Sequence, residues 1–362
     1  MVAHARRRYL RVVIPCAAVL IARLLAWLLY QPAALYRVTI LPSLGGWHTR
    51  AYALNDRGQV VGVENMGNDN ERLFLWDREN GIQDLGPVTG DPLAINNAGQ
   101  ISGTMPVDPN SLQAFLWEPA RGRTMLDPVG SKLSVALAMN NRGQIIGISR
   151  NPALSSPFFL WDKATGMKAL STPDGSRCEP VSINDAGQVL VVTLPGSANP
   201  RCWYLLDPNG PISLDTVGPR TWPHSINNRS CMAGIDEFNT KKPYLIFWDE
   251  QKKPRRLTPV NTNDMTRLND RNQIAYTDFV RSRWEDWRER FFRPRLDAEE
   301  AVSYLWDPAR GRVPLNRYVR GMKRFLVADL NNNGCIVGTA EMKDGSTRSV
   351  LLEPILERWG SR

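Results

Sequence analysis

One short phrase recurs seven times along this chain, each time followed by a second phrase, and that recurrence limits the fold more than any other feature. The first phrase reads AYALNDRGQVVG from Ala51, LAINNAGQISG from Leu93, ALAMNNRGQIIG from Ala136, VSINDAGQVLV from Val181, SINNRSCMAG from Ser225, RLNDRNQIAY from Arg267 and VADLNNNGCIVG from Val327. Its first Asn is Asn55, Asn96, Asn140, Asn184, Asn227, Asn269 and Asn331, in steps of 41, 44, 44, 43, 42 and 62 residues. The second phrase ends at Asp77, Glu118, Asp162, Asp207, Asp249, Asp307 and Glu353. A self-similarity at this period is the signature of a repeat architecture, so the length of 362 residues does not count domains.

Each copy is four short strands. "AYALN" and "QVVGV" are β-prone runs joined by Asn-Asp-Arg-Gly, in which Asn bends onto its own backbone and Gly takes the left-handed position of the turn. That Gly is Gly58, Gly99, Gly143, Gly187 and Gly334; Asn272 replaces it in the sixth copy and Ser230 in the fifth, where strain or a local change is expected. "RLFLWD" is a third strand, a turn such as Asp307–Gly311 follows, and a run such as Ile82–Leu85 is the fourth. Four strands in about 43 residues is one propeller blade. The seventh copy has three strands before the chain ends, and "YRVTILPSLGG" from Tyr36 supplies the missing fourth. The expected fold is therefore all-β: a seven-bladed β-propeller over 36–356, four strands per blade. The N-terminal strand completes the last blade and removes the exposed edges.

The phrases resemble the HAF repeat, a bacterial extracellular repeat family, through "LPSLGGWHTRAYALNDRGQVVG" and "LFLWDRENGIQDLG", over roughly residues 38 to 354. The resemblance implies export and a propeller-like fold, and it implies no defined activity.

Ahead of the repeats, residues 12–30 are apolar but for Arg23, close to the ~20 residues that span a bilayer. Arg6, Arg7, Arg8 and Arg11 precede them, which orients the tail inward and the repeats outward. Residues 1–35 read either as a basic tail with a retained transmembrane signal anchor or as a cleaved signal peptide, although no good small-residue cleavage site follows. The protein would sit at a cell membrane with the propeller outside, or be secreted or periplasmic after cleavage. Residues 357–362 are a short tail. Depth from the membrane follows from strand direction: the Asn-x-x-Gly turns should face the membrane and the insertion described below should face away.

The net charge of +9 is partly in that N-terminal cluster and is otherwise interleaved with acids, so no nucleic-acid-binding stripe exists. The five Cys form no CxxC pair, and Asn68-Asp69-Asn70 lacks a calcium-loop pattern, so neither metal nor cofactor is expected. Cys231 and Cys335 both hold the position of Gln59, in blades that are not neighbours. Cys178 and Cys202 fall near one face of the fourth blade and are a possible disulfide. The recurring Trp76, Trp117, Trp161, Trp248 and Trp306 belong to packing between sheets.

No catalytic residue stands out. His4, His48 and His224 are the three His; His48 and His224 lie just before first strands, on loops of well-separated blades. The sixth copy carries an insertion, 277–300, in which Trp284, Trp287 and Phe291 share one helical face with Arg288 beside them, followed by Pro294. These residues pack on the propeller or form a surface for an unknown protein or glycan partner. The expected function is a non-catalytic binding or scaffold propeller; the alternative is a hydrolase- or lyase-type enzyme acting at the central funnel. Residues that break the repeat rule discriminate: clustering at the axis favours the enzyme, clustering on the insertion and outer loops favours the binder.

Overall fold

The repeated phrases form the same strands each time they occur, four in each of the first six copies and three in the seventh. The computed structural model describes residues 36–67, 70–88, 94–108, 110–126, 133–151, 154–172, 175–193, 202–214, 221–237, 242–261, 266–279 and 301–355. The expected membrane or signal segment lies outside them, as does the insertion from 280 to 300 with Trp284, Trp287, Arg288 and Phe291. Every regular element among the described residues is a strand, and none of them forms a helix long and apolar enough to cross a membrane. Val38–Glu353 is one compact unit; residues 1–37 with 354–362 make a second, of which four residues are described.

Copies two to six each build a separate four-stranded antiparallel sheet. In the second copy the order is Ala94–Ile95, Ile101–Asp108, Ser111–Glu118 and Gly122–Met125. The first copy (His48–Leu54, Val60–Asn65, Glu71–Asp77, Gly81–Pro87) and the seventh (Arg324–Leu330, Ile336–Glu341, Thr347–Pro354) share one eight-stranded sheet. A parallel bridge between His48 and Thr347 joins them. The strand Tyr36–Ile40 pairs with the last strand of the seventh copy, as the ring-closing reading requires. Just past it, the Leu41 amide donates to the Ser349 carbonyl at 2.9 Å.

The second strand of a copy is covered on both faces, which is why it reads as an unbroken apolar run. Val60, Val61 and Val63 are 2% exposed or less. Alternate residues enter different clusters: Val60 packs with Phe74, Trp76 and Val337, whereas Val61 and Val63 pack with Leu75, Ile101 and Phe115 of the next copy. The run needs a gap at Gly62, where a Cβ would meet the Arg50 carbonyl at 2.3 Å and the Phe74 ring at 2.4 Å. The recurring Trp are packing residues. Trp76, Trp248 and Trp306 are buried, and Trp117 and Trp161 are half-buried against the inter-sheet clusters.

The four described cysteines form no disulfide with one another. Cys178 pairs across the ladder with Thr193, whose amide donates to the Cys202 carbonyl on its other side. Two strand spacings of about 4.8 Å put the Cys backbones further apart than the ~7 Å a bridge tolerates. The expected Cys178–Cys202 disulfide is therefore not formed, because the sequence placed both at one end of a sheet without resolving the strand between them. Cys231 and Cys335 form no disulfide either.

Candidate functional site: a ring of asparagines around an axial cavity

The first Asn of each phrase does more than turn its own chain. Asn55 Oδ1 accepts the amides of Arg57 at 3.1 Å and Gln59 at 3.0 Å, closing the local turn. Its Nδ2 donates to Gln59 Oε1 at 2.8 Å and to the carbonyl of Asn96, in the next copy, at 2.9 Å. Two donors and two acceptor positions are thus filled on a side chain only 3% exposed. The link from one Asn amide to the next Asn carbonyl repeats from Asn96 to Asn140, Asn184, Asn227, Asn269 and Asn331. Asn331 donates to Asn55 at 2.9 Å, so the chain of bonds closes on itself. Asp cannot replace this Asn, because a carboxylate offers no donor.

The following residue forms a second closed ring. The backbone amide of Asp56 donates to Asn97 Oδ1, and the same bond runs through Asn141, Asp185, Asn228, Asp270 and Asn332 back to Asp56, each at 2.8 Å. Every Asp in it has an Asn on both sides, and the second carboxylate oxygen accepts from at least one of them: Asp56 from Asn97 and Asn332, Asp185 from Asn141 and Asn228. An odd ring cannot alternate fully. The like pair is Asn97 with Asn141, which spares the ring two adjacent carboxylates.

The turns behave as their sequences require. Gly58, Gly99, Gly143, Gly187 and Gly334 have positive φ, and so do their replacements Ser230 (φ 59°) and Asn272 (φ 60°). Both replacements use their side chains across a copy boundary. Ser230 Oγ donates to Gln188 Oε1 at 2.5 Å, and Asn272 Oδ1 accepts from Asn227 Nδ2 at 2.9 Å.

The rings surround a cavity of about 510 Å³ lined by residues of all seven copies. Its walls are the first strands. Five of them carry an irregularity at the same place, skipping Tyr52, Leu137, Val181, His224 and Ala328 in the pairing register. A bulge of this kind re-aims side chains. Tyr52, Leu137, Val181 and His224 line the cavity.

The wall is not symmetric. Two residues before the Asn stand Ala53, Ala94, Ala138, Ser182 and Ser225, but then Arg267 and Asp329. These two replacements sit in neighbouring copies and face each other, Arg267 Nε lying 4.0 Å from Asp329 Oδ1 and donating to the Ala328 carbonyl at 2.8 Å. Asp329 accepts the amides of Leu54 at 3.0 Å and Leu330 at 2.8 Å, so it also ties the seventh copy to the first. Burial pushes its carboxyl above the ordinary Asp value, against the pull of Arg267 and the two amides. His224, in the fifth copy, lines the same arc. Its Nδ1 accepts the Thr266 amide at 3.3 Å, and burial together with Arg267 presses its pKa down to about 4. Ser225 Oγ is buried without a hydrogen-bond partner, and Glu179 is exposed on the fourth copy's wall. The opposite arc is apolar: Tyr52, Ile95, Leu137 and Met139.

His224 therefore lies inside the strand Thr221–Ile226 and on the cavity wall, not on a preceding loop as the sequence suggested. His48 opens its own strand, exposed, and is not among the lining residues. Sequence reasoning also passed over Arg267, Asp329 and Glu179. The first two were visible as departures from a column that is otherwise Ala or Ser.

No family model and no curated protein matches the chain. Solved structures do. The β-propeller domain of the Trilobed protease from Pyrococcus furiosus matches with a TM-score of 0.56 at 10% identity, over 84% of this chain and 95% of that domain. The acylaminoacyl peptidase of Pyrococcus horikoshii matches at 0.53 with 9% identity, over 86% of this chain and 53% of that one. A puromycin hydrolase matches at 0.51 with 14% identity, over 84% and 52%. The chain thus spans about half the length of those two enzymes. At such identities the likeness speaks to fold alone, and with the sheet topology it makes Val38–Glu353 a β-propeller.

Proposed function

We propose that this is a seven-bladed propeller, closed by the strand at Tyr36–Ile40, that binds a small ligand in its axial cavity without transforming it. The reading is carried by one observation: three residues that break the repeat, His224, Arg267 and Asp329, converge on the cavity wall. A symmetric scaffold has no use for that asymmetry. A cavity of this size with a few convergent polar groups on an apolar wall is the usual form of a ligand site.

The same convergence raises the enzyme reading, by the criterion set out from the sequence. What favours binding is how the polar groups are spent. Asp329 is taken up by two amides and Arg267, and His224 Nδ1 by the Thr266 amide. No hydrogen bond joins Ser225 Oγ to His224, so the nucleophile–base pair that acyl transfer needs is not formed. The segment at residues 12–30 and the HAF-like phrases support an extracytoplasmic location, at a membrane or after cleavage.

Equilibrium dialysis of the full chain against a bacterial small-molecule extract, read by mass spectrometry, tests the reading. A compound should be enriched by the wild type and not by Leu137→Trp, which fills the cavity. Enrichment unchanged by that substitution contradicts an axial site, and chemical conversion of the enriched compound replaces the binder with the enzyme.

A further inference from the structure

Resting on that axial-site reading, we propose that the cavity takes a small organic cation, an amine or guanidinium joined to an apolar body. Charge is the first argument. The described lining residues carry five carboxylates, Asp56, Glu179, Asp185, Asp270 and Asp329, against the single guanidinium of Arg267. That is a formal surplus of four negative charges inside a chain whose net charge is +9. His224 is neutral near pH 7 and does not offset it. A recess lined by one sign of charge with low-dielectric walls focuses the field and raises the local concentration of the opposite ion.

The placement of these charges narrows the class. Arg267 stands beside Asp329, so these two largely answer each other. Asp56, Asp185 and Asp270 are spread around the rim and accept from neutral Asn amides, and Asp270 also lies within electrostatic reach of the exposed Arg229. Glu179 is exposed, lines the cavity, and its side chain has no hydrogen bond or ion pair among the described residues. It is the carboxylate available to a ligand cation.

A metal ion fits this arrangement poorly. Calcium gathers six to eight oxygens at about 2.3–2.6 Å, whereas no three Asp, Glu, His or Cys among the described residues come together closely enough to hold an ion. The opposite arc, with Tyr52, Leu137 and Met139, would be wasted on a bare ion but suits methylene groups. An elongated amine can set its charge near Glu179 and lay its carbon chain on that arc.

The test is equilibrium dialysis of the full chain with cadaverine or glutarate, chains of equal carbon number and opposite charge. Cadaverine should be retained and glutarate should not. Glu179→Gln should weaken cadaverine binding about three- to tenfold, as for loss of a charge-assisted hydrogen bond. Leu137→Trp should abolish it, and added salt should weaken it. Retention of glutarate, lost in Leu137→Trp, would overturn the cation assignment while leaving the axial site standing. Cadaverine binding indifferent to both substitutions would overturn both. If neither probe is retained the cation assignment fails, and the extract experiment decides the axial site independently.

Discussion

Asn227 Nδ2 donates to Asn272 Oδ1 across the boundary between the fifth and sixth copies, at 2.9 Å. In the first four copies and the sixth the partner of that amide hydrogen is a Gln of the same turn, as Gln59 is for Asn55, and the seventh has Cys335 there. The fifth copy has Cys231 there, which cannot supply the carbonyl. The sixth copy has Asn272 where a Gly would be conformationally easier, at φ 60°. Two departures from the repeat thus complete one hydrogen bond. Asn272→Gly relieves the backbone but strands a buried donor, a loss of about 1–3 kcal/mol against a gain of about 1. A net destabilisation is expected by urea titration. Cys231→Gln in the same chain should restore it, with a coupling energy of about 1 kcal/mol or more in the double-mutant cycle. Additive effects would mean that the two departures are unrelated.

The Asn ring makes a harsher demand. Asn140 is 3% exposed and donates to Gln144 Oε1 and to the Asn184 carbonyl. Asn140→Asp preserves shape and removes both donors, placing a carboxylate against two acceptor oxygens. A loss of about 3 kcal/mol or more is expected from the unpaired groups alone. Asn141→Ser, at the exposed second ring, should cost less than about 1 kcal/mol. Denaturant midpoints of the two variants decide, and equal losses would contradict the division of labour.

Acid should loosen the axial wall. His224 in the folded chain has its pKa lowered from 6.5 to about 4. Between those values the unfolded chain binds the extra proton, so stability falls as pH drops from about 6.5 to about 4. The contribution is up to about 3 kcal/mol. Asp329 works in the opposite sense. Its raised pKa makes the folded chain the better proton binder just above the ordinary Asp range, so its part of the stability declines as pH rises through that window. His224→Gln should flatten the loss between pH 4 and 6.5 without removing the Asp329 contribution. A wild-type profile already flat there would refute the burial of a neutral imidazole.

Two of the contacts at the seam between the first and seventh copies differ in worth. Leu41 is 2% exposed and packs with Leu54, Phe74 and Val337. Leu41→Ala should cost about 2–4 kcal/mol. The Arg78–Glu353 pair, at 2.6 Å, also joins the first copy to the seventh, but Arg78 is largely in solvent. Glu353→Ala should cost about 1 kcal/mol at most. Thermal unfolding of both variants checks the ranking.

How much of this was legible in the sequence follows from what repeats. The seven Asn, the positive-φ turn positions and the strand at Tyr36 were readable because each is set by local chemistry or by counting. The Asn-to-Asn relay was not, because it joins residues more than 40 positions apart and depends on how neighbouring first strands meet. Arg267 and Asp329 were present as broken columns in consecutive copies, but only the structure shows that their column lines the axis. The Cys178–Cys202 pairing failed because Thr193 lies between the two, a matter of strand order within the sheet.

Closure of the ring at the seam is the claim on which the cavity depends. In the structure the Asn332 amide meets Asp56 Oδ1 at 2.8 Å, matching the bond from Asn141 to Asp185 inside the ring. The paired substitutions Asn332→Cys with Asp56→Cys, and Asn141→Cys with Asp185→Cys as an internal reference, can be treated with a short thiol-bridging reagent. The bridged peptides are then identified by mass spectrometry. A closed ring gives both bridges with similar efficiency, although the first pair is 276 residues apart. A bridge at Asn141 and Asp185 with none at Asn332 and Asp56 would show an open ring and leave the axial cavity without a wall.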